Sequence, residues 1–340
     1  MKAAVLHACG QPLELLDTTL PDIQEDEVLL QVEACGVCHS DLHIVEGDLP
    51  GFNAMMKLPI IPGHEVVGRI VRKGSAVDRF QIGERAGVAW MYSSCGTCDP
   101  CQENRENLCR KGVVTGLMVN GGYAELMVAK ASHATPIPDN LSSVEAAPLF
   151  CAGVTVYRAL TQAGMASGQR VAVFGIGGLG HLAVQMAASA GAEVIAVDVS
   201  DEKLALARSL GASLAIDARD RQAMQSIRKT GGAHIAAVTT ASKAAYDSAI
   251  RCLRHAGTLC VIGLPSEPLS FHATMLVGSE MRILGSSVGT RADIRAVLDL
   301  AAAGKLRCQT ETASLSDIND ILENMRKGAI TGRIVLKIQN

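Results

Sequence analysis

The sequence predicts an α/β protein in which a β-rich front segment is followed by a doubly wound parallel sheet. Three observations predict this fold. Residues 1–150 hold short runs that alternate apolar and polar residues, the chain after residue 151 alternates apolar runs with helical segments, and a glycine-rich loop separates the first of these later runs from its helix. A length of 340 residues suggests about two domains.

The front segment is predicted to be β-rich because its apolar residues recur with a period of two. Runs of this kind are Val28–Val32, Val66–Val71 and Tyr123–Val128, and Gly and Pro punctuate the chain between them. No sustained helical period is seen before Pro148. We therefore interpret this segment as strands and loops.

The second half is predicted to form a parallel sheet because strands and helices alternate along it. The predicted strands are Val171–Phe174, Glu193–Asp198, Ile235–Thr239 and Thr258–Gly263. The predicted helices are His181–Ala190, Lys203–Leu210 and Lys243–Leu253. The tail is predicted to contain helices near Ile294–Ala303 and Ile318–Arg326 and a strand, Arg333–Lys337.

Composition and charge exclude several classes of protein. Apolar residues make up 48 % of the chain and charged residues 19 %, which is typical of a globular protein. A net charge of -3 argues against nucleic-acid binding, which needs a basic surface. The chain soon becomes polar after Met1, and its most apolar stretch, Val171–Val199, is interrupted by His181 and Glu193. We therefore expect no signal peptide, no membrane span and a cytoplasmic protein.

The glycine-rich loop has the pattern of a dinucleotide-binding loop. Gly175, Gly177 and Gly180 are its three pattern glycines, and Gly178 and Leu179 complete the loop before the predicted helix. Asp198 closes the next apolar run, where a carboxylate accepts the ribose hydroxyls of NAD and repels the 2′-phosphate of NADP. In the alternative interpretation, the loop is an ordinary turn and Asp198 caps a loop.

Four closely spaced cysteines indicate a structural zinc site. Cys95, Cys98, Cys101 and Cys109 can surround one zinc ion with four thiolates and leave no coordination position open. The odd total of 11 cysteines argues against a disulfide framework. An iron–sulfur cluster and free thiols are the alternatives.

Three dispersed residues form a second candidate set of metal ligands. Cys38, His64 and Cys151 together provide two thiolates and an imidazole, which is the ligand set of a catalytic zinc with one exchangeable position. Their wide separation leaves another interpretation open, in which His64 is a structural histidine and Cys151 a buried apolar residue.

These motifs together resemble those of the zinc-dependent medium-chain alcohol dehydrogenases, nearly from end to end. The similarity is greatest to the bacterial and yeast NAD-linked tetrameric enzymes. The segments that carry it are Gly36–His43, Gly63–Gly68, Cys95–Cys109, Gly175–Gly180, Gly285–Arg291 and Gly332–Arg333.

The resemblance implies a fold, cofactors and an activity. A GroES-like catalytic domain is expected from residues 1–153 and 291–340, with a Rossmann NAD-binding domain from residues 154–290. We expect NAD and two zinc ions per chain, one catalytic and one structural, in a homotetramer. The expected reaction is the reversible oxidation of primary, and also secondary, aliphatic or aromatic alcohols to aldehydes or ketones, by hydride transfer to NAD from a zinc-bound alkoxide.

The resemblance also assigns roles around the catalytic zinc. Cys38, His64 and Cys151 correspond to its ligands, and Glu65 to a carboxylate that ligates transiently. Asp41 corresponds to the acceptor that fixes the tautomer of the His64 imidazole.

A proton relay, cofactor contacts and a substrate pocket are implied as well. Ser40 and His43 resemble the relay that carries the alcohol proton to solvent. The residues that resemble cofactor contacts are His39 and Arg333 at the pyrophosphate, Lys203 at the adenosine ribose, and Val288. Ser40, Leu49 and Trp90 are expected to line a pocket for primary aliphatic alcohols, more permissive than that of a strict ethanol enzyme, because Leu49 replaces a second Trp and the segment Pro50–Lys57 is longer than in the yeast enzymes.

Three other classes of protein are less consistent with these residues. A zinc polyol or threonine dehydrogenase is disfavoured by Ser40, His43 and Trp90. A zinc-ribbon nucleic-acid-binding protein is disfavoured by the acidic charge and the dinucleotide loop. A zinc-free quinone reductase would lack Cys38, Cys151 and the four-cysteine lobe.

Overall fold

The computed structural model describes residues 1–265 and 267–338. The chain divides into two compact units: the first is formed by Met1–Ala152, Thr290–Ala302 and Thr310–Asn340, and the second by Gly153–Gly289 and Ala303–Gln309.

Strands, α-helices and short 3-10 turns make up the regular structure of the described residues. The strands are β1 (Lys2–Val5), β2 (Glu14–Asp17), β3 (Glu27–Gly36), β4 (Glu65–Lys73), β5 (Arg85–Val88), β6 (Met91–Ser93), β7 (Val113–Val114), β8 (Leu126–Lys130), β9 (Thr135–Pro136), β10 (Arg170–Phe174), β11 (Glu193–Asp198), β12 (Leu214–Asp217), β13 (Ala233–Val238), β14 (Leu253–Val261), β15 (Arg282–Gly285), β16 (Thr310–Ser314) and β17 (Arg333–Lys337). The α-helices are α1 (His39–Glu46), α2 (Pro50–Asn53), α3 (Asp99–Gln102), α4 (Ser143–Ala146), α5 (Ala152–Gln162), α6 (Gly180–Ser189), α7 (Asp201–Ser209), α8 (Arg221–Lys229), α9 (Lys243–Cys252), α10 (Ala273–Ser279), α11 (Arg291–Ala302) and α12 (Ile318–Arg326). The 3-10 turns span Glu106–Leu108, Ala147–Phe150 and Leu315–Asp317. None of the helices in the described residues combines the length and the apolar character that a membrane span requires.

The first unit is built on a seven-stranded sheet that is mostly antiparallel. Its strands lie in the order β16-β17-β3-β4-β5-β9, and β8 also pairs with β3. The long central strands β3 and β4 are antiparallel, with Gly36 opposite Glu65. Val32, Val66 and Ile70 of these two strands are completely buried in the core. The residues that follow β3 and those that precede β4 therefore lie at the same end of this pair.

The second unit is a six-stranded parallel sheet. Its strand order is β12-β11-β10-β13-β14-β15. The chain starts in the middle with β10, moves outwards through β11 and β12, and then returns to the other side of β10 with β13. This reversal creates a switch point at the carboxyl ends of β10 and β13, which is where ligands bind in open α/β sheets.

The predicted fold class is confirmed, and the structure corrects several boundaries within it. The front segment, which we interpret as strands and loops, contains the eight-residue helix α1. The predicted strand Tyr123–Val128 starts three residues early, since β8 begins at Leu126. The predicted strand Thr258–Gly263 is the carboxyl end of the longer β14, which begins at Leu253.

The segment Ala303–Gln309 belongs to the second unit, although the resemblance places it in the first. Two side chains of α6 hold it there. The Gln185 side chain accepts from the backbone N–H of Arg307 and donates to its carbonyl oxygen, at 2.9 Å in each case. His181 Nε2 accepts from the backbone N–H of Gln309 at 3.1 Å.

A buried carboxylate joins β3 to its neighbours in the first unit. Glu27 accepts hydrogen bonds from the backbone N–H of Gln24 and from the Tyr92 hydroxyl, both at 2.8 Å, and pairs with Lys130 Nζ at 3.1 Å. Burial raises the pKa of Glu27, but these hydrogen bonds and the lysine charge outweigh it, so the pKa lies below its ordinary value of 4.5. The ionised form of Glu27 therefore stabilises the folded state.

Glu27→Gln is expected to lower the thermal midpoint at pH 7 by roughly 3 °C, because the amide lacks the charge that these donors stabilise. Because the folded pKa is lowered, this contribution is present above the ordinary pKa and is lost as the pH falls through the folded pKa. Calorimetry between pH 7 and pH 3 should show the two midpoints converging at acid pH. Asp26→Asn is the control, since this exposed carboxylate pairs with the same Lys130. A difference that does not depend on pH would contradict the assignment.

Candidate active site

Four side chains that are distant in the sequence lie together in the first unit. Cys38, His64, Glu65 and Cys151 each contribute one ligand atom to a group in which all four atoms lie within 4.8 Å of one another. All four residues are buried, and the Sγ atoms of Cys38 and Cys151 are 3.9 Å apart. The structure thus brings together the three residues that we predict as zinc ligands, with Glu65 beside them.

The pairing of β3 with β4 explains how these residues meet. Gly36 and Glu65 are register partners, so that Cys38, two residues after β3, and His64, immediately before β4, lie close together. A Cβ atom at position 36 would be 1.9 Å from Glu65 Oε2, so that a side chain there would displace the Glu65 carboxylate. Cys151 follows the 3-10 turn that packs on both strands.

A buried carboxylate fixes the geometry of this cluster. Asp41 Oδ1 accepts from His64 Nδ1 at 3.0 Å and from the backbone N–H of Gly63 at 3.1 Å. Asp41 Oδ2 accepts from the backbone N–H of Cys38 at 2.9 Å and from the Tyr123 hydroxyl at 3.0 Å. The predicted contact with the imidazole is present, and the three other donors are contacts that the sequence did not indicate.

The protonation of His64 makes the cluster suitable for a metal ion. Asp41 accepts from Nδ1 of His64, so that Nε2 is the nitrogen left to bind a metal ion once it is deprotonated. This Nε2 atom is buried and has no hydrogen-bond partner among the described residues. Two sulfurs and one imidazole nitrogen fit a zinc ion with a fourth position open for exchange.

The two thiols change each other's acidity. The contact with Cys151 lowers the pKa of Cys38 well below its ordinary value, although burial raises it. The same contact, together with burial, raises the pKa of Cys151 well above its ordinary value. The buried pair therefore favours one thiolate, and the charge of a bound cation favours the second.

Glu65 forms a buried ion pair beside the sulfur and imidazole ligands. The Arg333 guanidinium donates to Glu65 Oε1, and both side chains are almost completely buried. Glu65 Oε2 has no partner among the described residues. Burial raises the pKa of Glu65 to about 7, even though Arg333 lowers it. Arg333, for which the resemblance predicts a pyrophosphate contact, lies beside Glu65.

Two aromatic rings lie against the cluster. The Trp90 ring is 4.9 Å from the His64 ring, edge to face, and the Phe52 ring is 5.3 Å from that of Trp90. Phe52 belongs to α2 in the long segment after Leu49, and the sequence did not single it out. Leu49 itself is half-buried at the start of α2.

The residues predicted for the proton relay lie on α1. Ser40 is half-buried in the first turn of this helix, and His39 is its exposed first residue. His43 is half-buried, and its Nδ1 atom lies 2.9 and 3.0 Å from the two carboxylate oxygens of Asp48. The relay role of Ser40 and His43 stays a prediction.

The four remaining candidate ligands form a compact lobe. The Sγ–Sγ distances are 3.5 Å for Cys98 and Cys101, 3.9 Å for Cys98 and Cys109, and 4.0 Å for Cys95 and Cys101. Four sulfurs at zinc–sulfur bond length around a tetrahedral ion lie ~3.8 Å from one another. The lobe therefore fits a closed four-thiolate zinc site.

In the second unit, the dinucleotide loop follows β10. Gly175 has a φ of +87°, which a side chain would strain. A Cβ atom at Gly180 would lie 1.8 Å from the carbonyl oxygen of Gly175, so that only glycine lets the helix approach the strand. No atom within 4 Å would meet a Cβ atom at Gly177, which leaves the open space that a pyrophosphate needs. Gly178 and Leu179 complete the loop before α6.

Asp198, the predicted ribose contact, also holds this loop. Its Oδ2 atom accepts from the backbone N–H of Ile176 at 2.6 Å. Its Oδ1 atom accepts from the backbone N–H groups of Val199 at 2.8 Å and Ser200 at 3.0 Å. The sequence did not indicate this structural role.

Three further residues complete the second unit's candidate site. His181 Nδ1 lies 2.9 Å from the carbonyl oxygen of Gly177 in the loop, a contact that sequence reasoning missed. Lys203 is half-buried in the first turn of α7. Val288 has a φ of +36°, which is strained for a β-branched residue. Strained backbone of this kind is found at binding sites. The roles of Lys203 and Val288 stay predictions.

Comparison with known proteins shows the family. Residues 24–139 match the family model described as the alcohol dehydrogenase GroES-like domain, and residues 178–303 match that described as zinc-binding dehydrogenase. An alcohol dehydrogenase from Geobacillus stearothermophilus is 47 % identical over 341 residues, covering 99 % of this chain and 100 % of that protein.

Solved structures agree with this similarity. The structure of the alcohol dehydrogenase from the archaeon Aeropyrum pernix matches with a TM-score of 0.92 and 35 % identity, over 99 % of this chain and 100 % of that one. The structure of acetophenone reductase from Geotrichum candidum in complex with NAD matches with a TM-score of 0.89 and 32 % identity, over 99 % and 97 % of the two chains. With the buried sulfur and imidazole cluster, these matches show that the chain is an alcohol dehydrogenase and belongs to the zinc-type medium-chain alcohol dehydrogenase family.

Proposed function

We propose that this enzyme oxidises primary alcohols with NAD at a zinc ion held by Cys38, His64 and Cys151. The single observation that carries the proposal is the buried, unpartnered Nε2 atom of His64, which lies in one cluster with both sulfurs. A zinc ion bound there supplies Lewis acidity, which lowers the pKa of an alcohol and promotes hydride transfer to NAD.

The protein side chains around that position have separate tasks. Asp41 holds the imidazole of His64 so that its lone pair points into the cluster. Glu65, paired with Arg333, places a carboxylate beside the three ligands, where it would be available as a transient further ligand of the ion. Trp90 covers one edge of the imidazole and Phe52 packs on Trp90, so that apolar surface excludes water on this side.

The proton of the alcohol leaves by a different route from the hydride. We propose that the Ser40 hydroxyl receives this proton and that His43 passes it to solvent. Both residues lie on α1, which begins directly after Cys38. The His43 ring is half-buried and still reached by water, which suits it to pass a proton to solvent.

A second zinc ion is proposed for the four-cysteine lobe. Cys95, Cys98, Cys101 and Cys109 fill a tetrahedral shell, so that an ion held there is structural. The enzyme then contains two zinc ions per chain.

NAD is proposed as the cofactor, in preference to NADP. The carboxylate of Asp198 at the end of β11 is suited to accept from ribose hydroxyls and repels a 2′-phosphate. The similar acetophenone reductase was solved with NAD, which supports this choice. His39, Lys203, Val288 and Arg333 are proposed as further cofactor contacts.

The finer properties of the enzyme are also proposed. We propose residues 1–153 with 291–340 as the catalytic domain and residues 154–290 as the NAD-binding domain, with 303–309 packed on the latter. A homotetramer in the cytoplasm is proposed on the resemblance alone. The proposed ligands of the enzyme are small alcohols and aldehydes, and we propose that it binds neither nucleic acid nor a membrane.

Cys38→Ala is expected to lower the zinc content from two to one per chain and to reduce kcat by at least about a thousandfold, because the Lewis acid is lost. NADH affinity, measured by fluorescence titration, should stay within about twofold, because the dinucleotide loop is unchanged. Cys35→Ala is the matched control, since Cys35 is buried nearby without being in the cluster. Full activity of Cys38→Ala would remove the zinc from the reaction.

Asp198→Gly is expected to raise kcat/KM for NADP relative to NAD by about tenfold or more, because the repulsion of the 2′-phosphate is removed. It should also weaken NADH binding, since Ile176 loses the acceptor that holds the loop. Asp198→Asn separates the two effects, because the amide oxygen still accepts while the charge is gone. An unchanged preference in both variants would place Asp198 outside the cofactor site.

Trp90→Ala is expected to raise kcat/KM for benzyl alcohol relative to ethanol by about tenfold, because loss of the indole ring beside His64 leaves room for a larger substrate. The measurement compares ethanol, hexanol, benzyl alcohol and 2-propanol. Met55→Ala is the control, since Met55 is exposed in the same segment as Phe52. A wild-type preference for polyols or sugars over hexanol would overturn the proposed substrate class.

A further inference from the structure

A second aspartate–histidine pair lies at the end of α1 that is remote from the cluster of candidate zinc ligands. Both oxygens of the Asp48 carboxylate accept hydrogen bonds from His43 Nδ1, at 2.9 and 3.0 Å. The His43 side chain is 20 % exposed and that of Asp48 is 43 % exposed. The imidazole is therefore mostly covered, while water still reaches the pair.

The backbone places Asp48 at this position. Gly47 ends α1 with a φ of +67°, and its N–H donates to the carbonyl oxygen of His43. A Cβ atom at position 47 would lie 2.6 Å from Cys9 Cβ, so the turn requires glycine. The Asn53 side chain donates to the carbonyl oxygen of Gly47 at 2.6 Å. Asp48 is thus held by the helix end on one side and by α2 on the other.

The His43–Asp48 pair has the same hydrogen-bond arrangement as the buried His64–Asp41 pair. In both cases a carboxylate accepts from Nδ1, which leaves Nε2 of the neutral imidazole with the lone pair. At His64 that lone pair is buried and faces sulfur ligands. At His43 the imidazole is partly open to water, where the same lone pair serves as a base instead.

The charges that face His43 come from three elements. His39 and Glu46 lie on α1 itself, and a ligand atom of Glu46 is within 4.8 Å of those of His43 and Asp48. Arg326 of α12 neutralises Glu46 at 2.6 Å. The Asp48 carboxylate is consequently the charge that acts most strongly on His43, since it is in contact with the ring. Among the described residues, it has no cationic partner other than His43.

We propose that Asp48 is a positioning residue for alcohol oxidation, which holds His43 in the tautomer whose Nε2 accepts the proton released from the alcohol. This inference rests on the proton relay proposed above. The proton leaves the alcohol hydroxyl and arrives at Nε2 of His43. The Nδ1–H group meanwhile stays hydrogen-bonded to the Asp48 carboxylate. The imidazolium then returns one proton to water, and the hydride goes to NAD, so that charge and atoms balance.

Asp48→Asn tests the proposal with little change of shape. An amide can donate to Nδ1 and so stabilise the tautomer in which Nε2 carries a proton and is no longer a base. The single-turnover rate of NADH formation, measured in dilute buffer without imidazole, is expected to fall about tenfold. The pH profile of this rate is expected to change as well, because the ring no longer presents a basic Nε2. The affinity for NADH should be unchanged.

Asp48→Glu keeps the charge, and it is expected to retain the wild-type pH profile and most of the rate. Asp26→Asn is the control, because it removes an exposed, hydrogen-bonded carboxylate from the same unit. It should leave the rate and the pH profile unchanged.

A double-mutant cycle with His43→Gln distinguishes positioning from a structural role. If Asp48 acts through His43, adding Asp48→Asn to His43→Gln leaves the rate within about twofold. A further tenfold loss, or a lowered thermal midpoint shared by both Asp48 variants, would show that Asp48 only stabilises the turn and would overturn the proposal. A wild-type rate for Asp48→Asn at every pH would overturn it too. A wild-type rate for His43→Gln would instead remove His43 from the reaction, and with it the relay.

Discussion

The candidate active site depends on the buried carboxylate of Asp41. Burying a carboxylate costs several kcal/mol unless donors replace the lost water. Four donors do so in this protein, and they come from the turn after β3, the residues before β4 and the residues before β8. One charge therefore fixes the distance between the Cys38 backbone and the His64 ring. Replacement of Asp41 by an apolar residue would leave all four donors buried without an acceptor, so that the cluster and the local fold would be destabilised together.

A carboxylate has a comparable position in the second unit. Asp198 accepts three backbone N–H groups, one from the dinucleotide loop and two from the residues that follow β11. The loop contains glycines at the positions where a side chain would collide with the backbone or with Thr240. Because glycine has wide backbone freedom, the unfolded loop has many conformations to lose on folding. A charge-assisted hydrogen bond to Ile176 restricts that freedom. The residue proposed to select the cofactor thus also shapes the loop proposed to bind it.

The sequence predicts those parts of the site that are encoded by local spacing. The Cys95–Cys109 lobe lies within one short segment, and the Gly175–Gly180 loop lies between a strand and a helix, so that local pattern is sufficient. Cys151 is different, because it reaches Cys38 only through the packing of a 3-10 turn on β3 and β4, which no local pattern shows. The helix α1 escaped prediction for a related reason. It has only eight residues, too few for a hydrophobic period to be recognised. Phe52 also escaped it, because only its contact with the Trp90 ring gives it a role.

The shortness of α1 has a functional consequence. One helix of about two turns connects the Cys38 backbone at its start with His43 and Asp48 at its end. The side chain of Asp41 points into the core from this helix, whereas those of Ser40 and His43 are half-buried. A helix places residues three positions apart on neighbouring parts of its surface, and so separates an inward and an outward row. The inward row holds the proposed metal ligand in place, and the outward row meets water. Because both rows belong to one helix, a movement that displaced the candidate zinc ligand Cys38 would also displace His43, the proposed proton acceptor. The proposed sites of hydride and proton release are therefore coupled through α1.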